Sequence, residues 1–184
     1  MKTAKLLLIS GSPRRGNSEF VLREIAKSLP EKETEIVLLR DCNIRFCQGC
    51  YKNCFSTDKC ILQDDMTTQI FPKLIGADLI IISHPLYFGN VSGQMKTLVD
   101  RTVPAFEKKL LGGKKLLSIM IGGDVTGITA GFHLNVIEGF VRFNGLDLLA
   151  RHNLQAQDEN DLVKSKTWRE EELPKILKSI KDFT

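Results

Sequence analysis

Four of the five cysteines fall in one short run, Cys47-x2-Cys50-x3-Cys54-x5-Cys60. Thiolates are soft ligands for iron and zinc and are also redox-active nucleophiles, so such a run points to metal or redox chemistry. The pairs lie too close together for a two-knuckle zinc site, in which they are separated by about 12–20 residues. A short C-x2-C with further cysteines nearby suits a cubane iron–sulfur cluster, because one chain must wrap round it. A redox-active C-x2-C thiol couple, or plain buried cysteines, answers to the same pattern. Cys42 lies outside the run and reads as structural.

Two other stretches carry polar or aromatic groups at unusual density. In Ser10-Gly11-Ser12-Pro13-Arg14-Arg15-Gly16-Asn17-Ser18, glycines permit a tight turn, and hydroxyl and amide side chains crowd the start of a helix. Free N–H groups and the helix dipole favour an anion there, and the arginines add charge. No Gly-Lys-Ser/Thr closes the loop, so it is not a Walker A sequence. The spacing of Gly11 and Gly16 does not match the dinucleotide fingerprint either. In Ser83-His84-Pro85-Leu86-Tyr87-Phe88-Gly89-Asn90, two adjacent aromatics bracketed by Pro and Gly suit a planar ring. Backbone groups there are placed to read that ring's polar edge. His84 has no Ser or Cys nucleophile paired with it and reads as structural. A third stretch, Gly122-Gly123-Asp124-Val125-Thr126-Gly127, lets backbone approach a ligand closely.

The elements that must position these stretches follow from hydrophobic periodicity. Continuous apolar runs at Lys5–Ser10, Glu35–Leu39, Ala77–Ser83, Leu116–Ile121 and Leu146–Leu154 read as strands. Between and after them, apolar residues recur at helical spacing in five segments: Leu22 to Leu29, Met66 to Leu74, Met95 to Val99, Leu134 to Val141 and Leu173 to Ile180. Asn17 or Ser18 is the expected N-cap of the first helix, and Pro30 its terminator. Alternating strands and helices, with strands apolar throughout, predict a doubly wound α/β fold with a five-stranded parallel sheet of order 2-1-3-4-5 and helices on both faces. In such a sheet a ligand sits beyond the carboxyl ends of the strands at the switch point. The three loops above meet there. A phospho-accepting receiver of similar topology needs acidic residues after strands 1 and 3, where this chain has Ser and His-Pro.

SGSPRRGNS after the first strand, SHPLYFGNVSGQMKTLVDR after the third, and cysteines followed by Asp64-Asp65-Met66 resemble the NADPH-dependent FMN reductase superfamily, and within it the iron–sulfur flavoproteins. The resemblance implies a flavodoxin-like fold, FMN as cofactor with NAD(P)H as electron donor, and a homodimer or homotetramer. It assigns the FMN phosphate to Ser10, Ser12, Arg14, Asn17 and Ser18. The ring falls to Pro85, Leu86, Tyr87, Phe88, Asn90 and the turn of Gly122, Gly123 and Asp124. It also implies that Cys47, Cys50, Cys54 and Cys60 are ligands of a [4Fe-4S] cluster. The motif departs from that branch in one respect: three residues, Tyr51, Lys52 and Asn53, separate the second and third cysteines where the branch has two.

The totals narrow the classes. The 184 residues, 42% hydrophobic and 26% charged, suit one flavodoxin-like domain with a cysteine-rich insertion at about 42–60. A net charge of +4 with scattered basic residues argues against nucleic acid as partner. No run of about 18 apolar residues offers a membrane span, and the N-terminus does not read as a secretory signal. The cytoplasm is the expected location. The function expected is an oxidoreductase that passes electrons through FMN to a small-molecule or protein acceptor, or to the cluster. The flavin carries the chemistry, so no side chain is named catalytic. Two other classes answer to the same features: a non-enzymatic redox carrier that docks with partner proteins, and a metal-binding cysteine module on an empty flavodoxin scaffold.

Overall fold

The computed structural model describes residues 4–125, 134–181 and 183. Thr126 and Gly127 of the third loop, and the side chain of Leu134, lie outside the described residues. The strands are β1 (Lys5–Ser10), β2 (Glu33–Leu38), β3 (Leu79–Pro85), β4 (Lys115–Gly122) and β5 (Asp147–Gln155). All pair in parallel, in the order β2-β1-β3-β4-β5. This is the flavodoxin-like arrangement expected from the sequence.

Alternate side chains of each strand serve opposite faces. Leu7, Ile9, Ile80 and Ile82 pack on one side against α3 (Phe71–Gly76), α4 (Gly93–Asp100) and α6 (Leu134–Asn144). Leu6, Leu8, Leu79 and Ile81 pack on the other against α1 (Asn17–Lys27) and α8 (Leu173–Lys181), with Trp168 buried between them. Burial on both faces explains why the central strands β1, β3 and β4 carry no polar alternation, whereas the edge strands β2 and β5 are mostly exposed or half-buried and do carry polar residues.

Three short helices were not foreseen: α2 (Tyr51–Thr57) within the cysteine segment, α5 (Val103–Phe106) and α7 (Asp161–Lys164). The stretch expected as one helix from Met66 to Leu74 begins as a π turn, Met66–Ile70, before α3. β3 runs on through His84 and Pro85, because β4 offers a parallel partner as far as Ile121. The registers Ser10↔Ser83 and Pro85↔Ile121 bring the carboxyl ends of β1, β3 and β4, which carry the loops of the expected site, to one edge.

Candidate functional site at the carboxyl edge of the sheet

The loop after β1 is shaped mostly by its own backbone. Gly11 N–H donates to Ser83 O at 2.8 Å, which extends the β1–β3 ladder by one residue. A Cβ on Gly11 would lie 2.9 Å from Met95 Cβ, so α4 can come this close only to a glycine. Ser12 Oγ donates to Arg14 O at 2.8 Å and accepts from Arg14 N–H at 3.3 Å. Ser10 Oγ accepts from Ser12 N–H at 3.4 Å. These hydroxyls therefore fold the loop before any ligand arrives. Gly16 sits at φ +144°, where an added Cβ would come within 2.9 Å of Glu159 O.

Neither Asn17 nor Ser18 caps α1. The N-cap is Gly16, without a side-chain cap bond. Asn17 Nδ2 donates instead to Asp158 O at 2.7 Å, and its Oδ1 accepts from Leu162 N–H at 3.1 Å. Tertiary partners on the loop after β5 have won the side chain from the helix end. The first α1 bond is Phe20 N–H to Gly16 O at 3.0 Å, so the N–H groups of the first turn are left to face outward from the helix end. Arg14 stands beside them, loosely paired with Glu159 at 3.9 Å.

The loop after β3 closes as a two-residue turn. Tyr87 and Asn90 exchange backbone hydrogen bonds, both at 2.9 Å, around Phe88 (φ 49°) and Gly89 (φ 72°). Positive φ at both central positions is the type I′ geometry. Asn90 Oδ1 accepts from Val91 N–H at 2.8 Å. Ser92 then caps α4, accepting from Met95 N–H at 3.2 Å and donating to Gly11 O. Leu86 N–H reaches Ile121 O at 2.8 Å, and Gly122 lets the Leu86 side chain lie where a Cβ would meet it at 3.0 Å. Gly123 O accepts from Gln155 Nε2 at 3.3 Å, and Asp124 follows exposed.

These loops share one cavity of about 90 Å³, lined among others by Ser12, Arg14, Asn17, Ser18, Pro85 and Gly122. That volume suits a phosphate-sized group. Through Tyr87 it adjoins a larger hollow of about 380 Å³ lined by Pro13, Leu39, Phe46, Ser92 and Gln94, apolar enough for a ring. Phe88, Asn90, Gly123 and Asp124 stand on the same loops but do not line the small cavity, and Ser10, expected at the phosphate, is fully buried and does not line it either. Gln157, Asp158 and Glu159 do line it. Two acidic residues in that loop gave no sequence signal for an anion site.

The cysteine segment lies between the 3-10 turn Leu39–Asp41 and the π turn at Met66. All five thiols are free. Cys42 is half-buried, donates to Leu38 O at 3.3 Å, and is pushed up in pKa by burial and then by Asp65 and Asp41. Cys54 is buried on α2, and its pKa is pushed up to about 11, first by burial and then by Cys50, Cys60 and Cys47. Among the described residues no three His, Cys, Asp or Glu side chains are placed to hold one metal ion. A cubane asks for something different, one thiolate for each of four irons, and four free cysteines on one short segment are the donor types it requires.

Both ends of this segment are fastened by Asp64, Asp65 and Arg101. Asn43 N–H donates to Asp65 Oδ2 at 2.7 Å, and Arg45 N–H to Asp64 Oδ2 at 3.0 Å. The Asp64 and Arg101 side chains, each only 1% exposed, form a two-pronged ion pair at 2.7 and 2.9 Å. Burial pushes the Asp64 carboxyl up. The hydrogen bonds from Arg101 and from the backbone of Arg45 and Thr67 outweigh it and hold the acid below its ordinary value.

Comparison with known proteins gives the same picture. A family model described as NADPH-dependent FMN reductase matches residues 4–143. The chain is 38% identical over 127 residues to an iron–sulfur flavoprotein of Methanocaldococcus jannaschii, covering 67% of this chain and 64% of that protein. It is 42% identical over 100 residues to one of Archaeoglobus fulgidus, covering 53% and 48%. The match therefore spans about half to two thirds of these relatives' length. Among solved structures, an NAD(P)H:quinone oxidoreductase from Methanothermobacter marburgensis superposes with a TM-score of 0.75 at 17% identity, covering 97% of this chain and 94% of that one. An azoreductase from Bacillus anthracis gives 0.67 at 14%, covering 95% and 99%. These two likenesses are of fold.

Proposed function

The chain belongs to the NADPH-dependent FMN reductase family, and from that premise we propose that it is an FMN-binding, NAD(P)H-dependent oxidoreductase with a cluster-binding cysteine segment. The observation that carries the reading is the cavity where the loops after β1, β3 and β4 converge on the N-terminal end of α1. A helix end with outward N–H groups, two hydroxyls and an arginine suits the FMN phosphate. We assign it to Ser12, Arg14, Asn17 and Ser18, with Ser10 and the Asn17 amide holding the loops in shape. The ring is assigned to the adjoining hollow and to Pro85, Leu86, Tyr87, Phe88, Asn90, Gly122, Gly123 and Asp124.

When bound, FMN accepts two electrons from NAD(P)H and passes them on singly or as a pair. The protein's part is placement. The residues that would hold the ring are Tyr87 and Phe88 on the I′ turn, with the loop backbone after β3 and β4 available to its polar edge. Cys47, Cys50, Cys54 and Cys60 would hold a [4Fe-4S] cluster. The electron acceptor is a small molecule or a protein, the assembly a homodimer or homotetramer, and the location cytoplasmic, with all 184 residues read as one unit. Among the described residues no helix is long and apolar enough to cross a membrane.

Anaerobic purification tests both halves. The expected protein releases FMN on heating, contains about four irons per chain as a cubane requires, and oxidises NAD(P)H with a dye acceptor. Recovery of FAD, or no affinity for added FMN, overturns the flavin site. Flavin without iron after anaerobic reconstitution overturns the cluster and returns the cysteines to thiol or structural roles. Changing Cys54 to Ala should remove iron and keep FMN. Changing Cys42 to Ala should change neither.

A further inference from the structure

Arginine carries five N–H donors in a fixed fork, and at Arg101 four are accounted for. One terminal nitrogen donates to Asp64 Oδ2 and to Arg45 O, both at 2.7 Å. The other donates to Asp64 Oδ1 at 2.9 Å and to Thr67 Oγ1 at 3.3 Å. The fifth donor, Nε–H, is buried without a hydrogen-bond partner. A buried donor left unsatisfied is costly, and the fork cannot turn to relieve it because its other face is locked on Asp64. Cys60 and Arg101 line the same cavity of about 510 Å³, which makes Cys60 the thiol of the run that faces the space around the guanidinium. Arg101 follows directly on α4, whose opposite end is capped by Ser92, itself bonded to Gly11 O in the loop after β1. One helix of eight residues, about 12 Å long at 1.5 Å per residue, thus ties the proposed flavin loop to the cysteine segment.

We propose that Arg101 is a positioning residue for the cluster: its remaining N–H donates to the Cys60 sulfur, fixing that ligand and raising the cluster's reduction potential. The proposal rests on the cluster reading above. A cluster that gains one electron becomes more negative, and a fixed cation with an N–H aimed at one of its sulfurs favours that reduced form. Removing the donor should therefore lower the potential. Lysine keeps the charge and loses the planar fork, so it should restore only part of the difference.

The experiment is a dithionite titration of the anaerobic holoprotein, wild type against Arg101→Gln and Arg101→Lys. Cluster and flavin potentials are followed separately by EPR and absorbance. The expected result is a lower cluster potential in Arg101→Gln, an intermediate one in Arg101→Lys, and unchanged flavin potential. Iron in all three proteins with no movement of the cluster potential overturns the Arg101 assignment and leaves the cluster. Wild-type protein with flavin and no iron overturns the cluster, and this assignment with it. Should Arg101→Gln not fold, the unmodified protein grown with 15N-arginine decides. The reduced cluster should show hyperfine coupling to an arginine nitrogen in pulsed EPR, and absence of coupling overturns the proposal.

Discussion

The flavin loops and the cysteine segment are held in shape by different means. Around the proposed flavin cavity, restraint is redundant and mostly backbone: Gly11 to Ser83, Leu86 to Ile121, the Tyr87–Asn90 pair and Ala156 to Gly122 all extend the sheet outward. The cysteine segment is nearly detached from the sheet. It is fastened at its ends by Asp64, Asp65 and Arg101, with contacts such as Phe55 on Phe106, ring centroids 5.9 Å apart, in between. A site built on strand ends is formed before its ligand. A site strung between two fastenings takes its final shape from what it binds, as metal-coupled segments do.

The strongest way to break that comparison is to remove the fastening. Asp64→Ala leaves the buried Arg101 charge without its partner, and losing one member of such a pair costs about 3–5 kcal/mol. We expect a matching fall in denaturant stability, with proteolytic cleavage appearing first within residues 43–63 while FMN binding persists. Cleavage that appears only with global unfolding would show the segment to be part of the main cooperative unit. The pair also has a pH signature. Asp64 is held below its ordinary value of 3.8, so its contribution is present above that value and is lost as pH falls through the lower folded-state value. Asp64→Asn should flatten that acid limb.

The flavin side should yield less to any one change. Ser12→Glu sets a carboxylate where a hydroxyl turns the loop and where the phosphate is proposed to lie. The loss of a hydrogen bond to a charged group is worth about 1.5–3 kcal/mol, so FMN affinity measured by fluorescence quenching should fall about ten- to hundredfold with the fold intact. Unchanged affinity would move the phosphate elsewhere. Asn17→Ala should cost less still. It removes two bonds to the loop after β5, about 0.5–1.5 kcal/mol each, and should show as a lower melting temperature with a smaller loss of FMN affinity.

Asn17 also marks where the sequence stopped being readable. The strand order was legible because five apolar runs alternating with helical segments, the central three buried on both faces, leave few topologies, and three polar or aromatic loops at one edge follow from that order. The role of Asn17 was not. Local propensity makes it a cap, whereas Asp158 and Leu162, more than 140 positions away, make it a bridge between loops. The Asp64–Arg101 pair spans 37 positions and leaves no periodic trace, so nothing in the sequence paired its two residues, although each stands in a stretch that carries the family resemblance. Side-chain pairings fixed only by tertiary approach are what periodicity cannot carry.

The smallest expected effect lies at Phe88, and its sign sharpens the comparison most. Its φ of 49° is left-handed, and the residue is fully exposed. A non-glycine residue pays about 1–2 kcal/mol for that backbone, and glycine at the same position gives back part of the gain through a more flexible unfolded chain, about 0.5–1 kcal/mol. Phe88→Gly should therefore leave the free protein as stable as before or more so, by up to about 1 kcal/mol. A large apolar ring held out in water on strained backbone contributes nothing to the folded chain alone, and such strain gathers at ligand sites. If the ring covers the flavin, the same change should weaken FMN binding and shift the flavin absorbance band while the melting temperature of the flavin-free protein holds or rises. Opposite movements of stability and affinity would mark Phe88 as a binding residue. A fall in both would make it a structural part of the turn, and no change in affinity would remove it from the site.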